Sequence, residues 1–493
     1  MNSLKKLAGQ TVIYGLSSVV GRLLNYLLVP LYTRYFLPEE YGIVTELYAY
    51  VAFLVVILTY GIETAFFRYS QKAPNKRAVY STALISLLIT SSIFVSIIFS
   101  SAIPIANWLQ YPSNTEYIQF FAIIIGFDAV AAISFAKLRE QNNATRFALI
   151  KLVNIFINIG LNLFFIIYCP YALENGLPSA DFVNSVYSKG YGVGYIFIAN
   201  LIASVITFLM LLPEMVKSVW IFDKSIWKKM MIYGLPLLVA GLAGMINETI
   251  DRVLLKHLLP ETVNISAEIG LYGAFYKLSI LIILFIQTFR FAAEPFFFAQ
   301  EKEKNSKKTY ADVMKYFVII TSFIFLVVTM LYDFIILFLG NNYHDERGFL
   351  TVSILLAANL LLGIYYNLSI WYKLSEKTKY GAYLSVFGAI ITLILNFILI
   401  PILGFVGSAC ATLVCYFCMT IASYILGRKH YRIPYPVKRI SFYLMFVAVL
   451  FFSSLYFKIG IILKTIYILF FIIIAFVLEK PKKAVISAPK LFD

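Results

Sequence analysis

The sequence predicts an all-α polytopic membrane protein of about fourteen transmembrane helices: two six-helix lobes and two further helices at the C-terminus. Three observations lead there. Of the 493 residues, 61% are hydrophobic and only 13% charged, with a mean hydropathy of +0.83, too little charge for a soluble surface. The apolar residues fall in runs of about 18–24, the length a helix needs to cross about 30 Å of hydrocarbon while satisfying its own backbone groups. The third observation is that the runs repeat in two related sets.

In chain order the expected spans are 11–31, 43–62, 80–103, 118–137, 149–168, 191–212, 231–250, 270–289, 313–332, 351–371, 381–401, 404–427, 440–457 and 461–478. The first, fourth, seventh and eighth are the least apolar. Pro30, Pro104, Pro236 and Pro401 are placed to bend helices within spans or at their ends. The 36 Tyr and 44 Phe are expected mostly to face lipid or the interfacial belts. The start, MNSLKKLAGQ, leads into a full-length span and reads as no cleavable signal.

The charge of +16 sits in short loops, so it reports topology and not nucleic acid. Seven basic residues fall on one side: Arg34, Lys189, Arg252, Lys256, Arg347, Lys458 and Lys464. Arg22 and Lys277 lie within spans, which leaves 32 of the 41 on the other side. That asymmetry predicts a multi-pass membrane protein with both termini in the cytoplasm.

The repeat is carried by short matches. Tyr14-Gly15-Leu16 opens the first span and Tyr233-Gly234-Leu235 the seventh. Pro38-Glu39 corresponds to Pro260-Glu261, Glu40-Tyr41-Gly42-Ile43 to Glu268-Ile269-Gly270-Leu271, and Tyr48 to Tyr276. Six spans per half is an even number, so the halves share one orientation and relate by a pseudo-two-fold along the membrane normal. The expected division is a lobe at 1–215, a second at 225–430, helices 13 and 14 at 438–480 and a cytoplasmic tail at 481–493.

The stretch Tyr14-Gly-Leu…Gly21-Arg22…Pro30-Leu-Tyr-Thr-Arg34-Tyr-Phe-Leu-Pro-Glu-Glu-Tyr-Gly42, with the 6+6+2 layout, resembles the polysaccharide transporter and O-antigen flippase branch of the multidrug/oligosaccharidyl-lipid/polysaccharide (MOP) exporter superfamily. The resemblance covers essentially the whole chain. It implies a V-shaped bundle around a central cavity. It also implies a flippase that translocates an undecaprenyl-diphosphate-linked oligosaccharide, such as an O-antigen, capsule or exopolysaccharide repeat unit, by alternating access. The implied partners are that lipid-linked oligosaccharide, membrane lipids, and a glycan polymerase with chain-length regulators.

An ionisable group at bilayer depth costs at least about 2.5–3.5 kcal/mol, so each needs a partner or a wet cavity. Ser18, Arg22 and Asn25 share one face of the first span. They read either as a strip receiving the diphosphate, whose oxygens suit a forked guanidinium, or as part of a structural ion pair. Lys277 is a second candidate cation for the cavity, with snorkelling to the interface as the alternative, and Gln287 lies one turn from Arg290 on the same span. Arg290 and Glu294 are spaced to bridge each other. Asn154, Asn158 and Asn162 form a stripe for interhelical hydrogen bonds or for sugar.

Asp128 is placed to carry protons or to pair with Arg22. Asn247, Glu248, Asp251 and Arg252 end the seventh span: Glu248 and Arg252 are spaced to bridge, and Asp251 and Glu248 are candidates for ion coupling at an outer gate, or simply part of a wet helix end. Glu63 is expected at the interface.

No Walker A loop, metal-binding motif or cofactor motif is present, and the three histidines are all in loops, so the chain reads as a non-enzyme without cofactors. Cys415 and Cys418 have CxxC spacing but read as small packing residues inside an apolar run. Two rivals remain. A cation-coupled multidrug exporter of the same superfamily would favour acid where Arg22 stands. A membrane-embedded glycan polymerase or ligase would want a polar outer loop, and the longest connection, 169–190, carries no recognisable chemistry.

Overall fold

The computed structural model describes residues 20–480 apart from Lys72, Lys302 and Lys304, with backbone alone for residues 291, 292, 294, 295 and 299. Ser18, the Tyr14-Gly15-Leu16 match, residues 11–19 of span 11–31, the Glu294 side chain and the tail at 481–493 lie outside the described residues.

Among the described residues there is no strand, and thirteen helices are long and apolar enough to cross a membrane. A shorter helix, α1 (Leu28–Tyr35), continues helical residues 20–26 and ends the first expected span. The thirteen are α2 (Pro38–Ser70), α3 (Lys76–Ser100), α4 (Thr115–Glu140), α5 (Ala144–Glu174), α6 (Gly194–Val216) and α7 (Lys224–Leu258). They continue with α8 (Ile265–Gln300), α9 (Ser306–Met330), α10 (Gly348–Leu374), α11 (Lys379–Leu403), α12 (Phe405–His430), α13 (Val437–Tyr456) and α14 (Ile461–Glu479). The protein is an all-α polytopic membrane protein.

Local chemistry sets the helix starts. Pro38 opens α2, where its missing N–H costs nothing, and Glu40 accepts the Leu37 N–H at 2.9 Å. Asn75, Asp223 and Asn264 cap α3, α7 and α8 by accepting first-turn amides, with Asp223 holding two. Pro236 and Pro401 sit inside α7 and α11. The break within α2 falls not at a proline but at Tyr60–Gly61, both left-handed. A side chain at Gly61 would also meet the Gly234 carbonyl, its Cβ only 2.7 Å away. Glycine is required there by both conformation and space.

One expectation is corrected. Helices α7 and α8 reach 35 and 36 residues, well past the spans 231–250 and 270–289. An apolar window stops at Asp251, Arg252 and Lys256, but the helix does not, because these side chains are buried against protein and never meet lipid. Part of the aromatic set is core: Tyr272, Tyr310, Tyr343, Phe275, Phe317 and Phe405 are among the most deeply buried large side chains.

In the N-terminal half, α4 packs on α3 and α6, and α5 on α6. In the C-terminal half, α10 and α11 pack on α12, α8 on α10, and α7 on α11. Helices α13 and α14 pack on α9, where Glu479 accepts from Lys315 at 2.6 Å, Arg439 at 3.3 Å and Tyr443 at 3.1 Å.

Helix α2 is where the halves meet. Its first turns cross α8 so tightly that a Cβ on Gly42 would lie 1.9 Å from the Ser266 carbonyl oxygen, and one on Gly270 would lie 1.8 Å from that of Pro38. Gly42 and Gly270 are the pair the repeat matches. Alongside, Gly340 N–H donates to Thr33 Oγ1 at 3.2 Å and the Tyr343 hydroxyl to the Phe36 carbonyl at 3.1 Å. At the other end of α2, Tyr69 packs edge-on against Tyr233 of α7, whose ring also carries the Arg68 guanidinium at 4.4 Å. We call the α2–α8 end the outer end and the Lys/Arg-rich end the basic end.

Candidate functional site

Beneath the outer crossing lies a hollow of about 450 Å³ between the halves. From the N-terminal half it is lined by Asn25, Tyr32, Tyr48, Asn154, Asn158 and Asn200. Glu248, Arg252, Tyr276 and Lys277 line it from the C-terminal half. Tyr48 and Tyr276, matched by the repeat, thus face one space.

A second hollow of about 390 Å³ lies within the N-terminal half toward the basic end, lined by Glu63, Asp128, Arg139, Lys151 and Ser204 among others. It shares Asn154 and Asn200 with the first, so the two abut. A polar path therefore runs from the Glu63–Arg139 ion pair, past Asp128 and Lys151, to the centre of the protein.

The asparagine stripe is held from behind. Asn154 donates to the Ala203 carbonyl at 3.1 Å and to Thr207 Oγ1 at 2.9 Å, which binds α5 to α6. Asn162 is buried. It donates to the Asn158 carbonyl at 2.7 Å and to Asn158 Oδ1 at 3.1 Å, and its own Oδ1 accepts from the Tyr32 hydroxyl at 3.0 Å. Asn200 donates to the Tyr48 hydroxyl at 2.7 Å. Fixed in this way, the amides present hydrogen-bonding groups without rotamer freedom, as polar cargo recognition requires.

Four of the candidate residues line the central hollow together: Asn25, Asn154, Asn158 and Lys277. Lys277 has no ion-pair partner among the described residues. Arg22 is exposed one turn before Asn25 and lies outside the lining of both hollows. It does not pair with Asp128, which faces Ser204 and Lys151. Gln287 also lies outside both linings, and Arg290 stacks over Tyr366 at 4.2 Å. Ser18 lies outside the described residues.

Glu248 lines the hollow, but the expected Glu248–Arg252 bridge is absent among the described residues. Arg252 donates to the Glu248 backbone carbonyl at 2.8 Å and pairs with Asp251 at 3.1 Å. Asp251 is buried and also accepts from Tyr272 at 2.5 Å. Asp251 therefore holds Arg252 in place over the Tyr276 ring, 4.2 Å away, and the "wet helix end" is a packed interior.

A cluster at the outer end was not anticipated. Glu46 of α2, fully buried, lies 3.4 Å from Lys256 of α7 and accepts from the Tyr111 hydroxyl at 2.5 Å. The cost argument that singled out Asp128 applied equally to Glu46 within span 43–62. Lys256 reads as a loop residue in the sequence only because the apolar window ends before it.

Comparisons with known proteins place this geometry. A family model described as "Polysaccharide biosynthesis protein" matches residues 7–299, more than half of the chain. The chain belongs to that family. A protein of the Lsg locus of Haemophilus influenzae is 21% identical over 302 residues, 61% of this chain and 68% of that protein. The fold is similar to the lipid II flippase MurJ in an inward closed conformation, with TM-score 0.71 and 16% identity over 95% of this chain and 98% of that one. It is also similar to an inward-facing multidrug resistance transporter of the MATE family, with TM-score 0.65 and 15% identity over 88% and 96%. The chain thus shares the fold of these two transporters.

Proposed function

We propose that this protein flips an undecaprenyl-diphosphate-linked oligosaccharide across the bacterial inner membrane, from the cytoplasmic to the outer leaflet, by alternating access. The observation that carries the reading is the central hollow: an asparagine-lined space between the halves with Lys277 facing into it and the Arg252–Asp251 pair at its wall. A diphosphate stripped of water without partners is prohibitively costly, so an unpaired ammonium offsets part of that cost. Fixed amides suit sugar hydroxyls, and the polyprenyl chain remains in lipid.

In this reading the basic end is cytoplasmic, and residues 1–215 and 225–430 act as two lobes that rock about α2. The outer seam at Gly42–Gly270 is then the closed gate of a cytoplasm-facing state. Asp128, set beside Lys151 on the path from the basic end, is the candidate coupling group, with Glu248 as a second. A glycan polymerase and chain-length regulators would receive the delivered unit. Arg22 is left as an accessory cation near the entrance and not as the core of the site.

The test is sidedness. Spheroplasts with and without the protein are treated with a membrane-impermeant reagent that labels glycan. Labelled lipid-linked oligosaccharide is expected only when the protein is present. Equal labelling in its absence would contradict the proposal, and a change in drug resistance without a change in labelling would favour the exporter reading.

A further inference from the structure

A third cavity, of about 400 Å³, opens where the basic ends of α2, α3, α4 and α6 converge, away from both hollows described above. Four cations line it, Lys76, Arg77, Lys137 and Lys217, against the carboxylates of Glu140 and Glu214. Both carboxylates are engaged: Glu140 by Lys76 at 2.8 Å, and Glu214 by Arg146 at 3.1 Å from outside the cavity. Lys137 is fixed by donating to the Glu214 backbone carbonyl at 2.7 Å and by lying 4.1 Å from the Tyr80 ring centroid. Arg77 and Lys217 have no ion-pair partner among the described residues, and both crowd the Lys137 ammonium with like charge.

An apolar, exposed segment follows Ser218 of the cavity wall in the chain. The connection from α6 to α7 is tied to α3 by Ile221 N–H donating to Ser81 Oγ at 2.7 Å and Asp223 N–H to Thr82 Oγ1 at 3.0 Å. This leaves Trp220, Ile221 and Phe222 pointing outward, 51%, 51% and 45% exposed. An exposed Trp-Ile-Phe triplet beside unpaired cations at helix ends is the signature of the boundary between water and lipid. With Glu140 and Glu214 engaged by Lys76 and Arg146, Arg77 and Lys217 are left to take an anion, and the exposed apolar triplet suits an acyl chain.

We propose that this cavity binds the phosphate of an anionic phospholipid in the leaflet at the basic end, with Arg77, Lys137 and Lys217 on the phosphate and Trp220, Ile221 and Phe222 against the chains. The site is independent of the transported cargo.

The test uses the full-length protein in nanodiscs of phosphatidylcholine doped with phosphatidylglycerol, with retained lipid counted by native mass spectrometry after release into detergent. Retention of phosphatidylglycerol should weaken about 30-fold in Arg77→Gln/Lys217→Gln, since each cation near the surface contributes about fivefold. It should return in the charge-conserving Arg77→Lys/Lys217→Arg, which also controls for folding. Trp220→Ser/Ile221→Ser should weaken lipid retention while leaving binding of inorganic phosphate unchanged. Unchanged retention in the Gln pair would overturn the proposal, as would equal loss from Lys224→Gln/Lys228→Gln, two cations outside the cavity. Complete displacement of the lipid by inorganic phosphate would assign the site to a free anion and overturn it too.

Discussion

Lys256 of the C-terminal half reaches across the outer end of the molecule to Glu46 of the N-terminal half, 3.4 Å away, with both side chains sealed from solvent. Tyr111 completes the contact: its hydroxyl donates to Glu46 Oε2 at 2.5 Å, and its ring lies 4.5 Å from the Lys256 ammonium. The other carboxylate oxygen, Glu46 Oε1, has no hydrogen-bond partner among the described residues. The pair therefore spans the two bodies that would have to part if the outer end opened.

Removing one partner of a buried pair strands the other and typically costs about 3–5 kcal/mol, whereas replacing both is often nearly neutral. Lys256→Met is expected to lower the unfolding temperature of the purified protein and to raise thiol labelling at an introduced Thr33→Cys on the outer side. Glu46→Gln/Lys256→Met is expected to recover much of the stability. A double-mutant cycle by thermal unfolding checks this, and additive effects would show that the pair is not coupled.

The Gly42–Gly270 crossing leaves no room for a side chain, because the obstructing atoms are backbone carbonyls that move only with the helices. Gly42→Val and Gly270→Val are each expected to force α2 and α8 apart. The distance between spin labels on the two outer ends should increase and transport should fall at least about tenfold, as expected when packed backbone must shift by more than an ångström. An unchanged distance distribution would show that the crossing tolerates bulk.

Asp128 lies on the path from the basic end and not in the central hollow. Asp128→Asn is expected to depress transport while leaving the affinity for lipid-linked oligosaccharide within about twofold, a split between turnover and binding that marks coupling and not contact. Loss of binding in parallel with transport would place Asp128 in cargo recognition.

How much of this was legible in the sequence follows from what hydropathy measures. The helices and the family were readable because a span must be apolar over its whole length and because Tyr14 to Gly42 carries a recognisable pattern. Asn154, Asn158 and Lys277 were readable because polar groups at bilayer depth need a reason. Glu46–Lys256 and Asp251–Arg252 were hidden, because pairing partners on different helices leave no local spacing signal, and because a charged side chain paired inside protein looks in sequence like the end of a span. Arg22 was overweighted for a related reason: depth along a helix does not fix which way the helix is turned.

Outside the membrane, Asp345 is held below the ordinary carboxylate range by hydrogen bonds from Arg347, which also pairs with Glu268 at 2.8 Å. A depressed folded-state pKa means that stability is present above the unfolded value and is lost as pH falls through the folded one. Asp345→Asn should therefore lower the unfolding temperature at pH 7, by an amount corresponding to less than about 1 kcal/mol for so exposed a pair. The gap to the parent should close below about pH 4. A gap independent of pH would assign the effect to packing.

The central claim is that an unpaired cation in the hollow between the halves receives the diphosphate, and Lys277 tests it most directly. In proteoliposomes loaded with fluorescent lipid-linked oligosaccharide, translocation is followed by quenching from outside. The account predicts that Lys277→Gln lowers the rate about 10- to 100-fold, as loss of a charge-assisted contact of about 1.5–3 kcal/mol requires, and that Lys277→Arg retains most of it. Translocation at the parent rate by Lys277→Gln would contradict it.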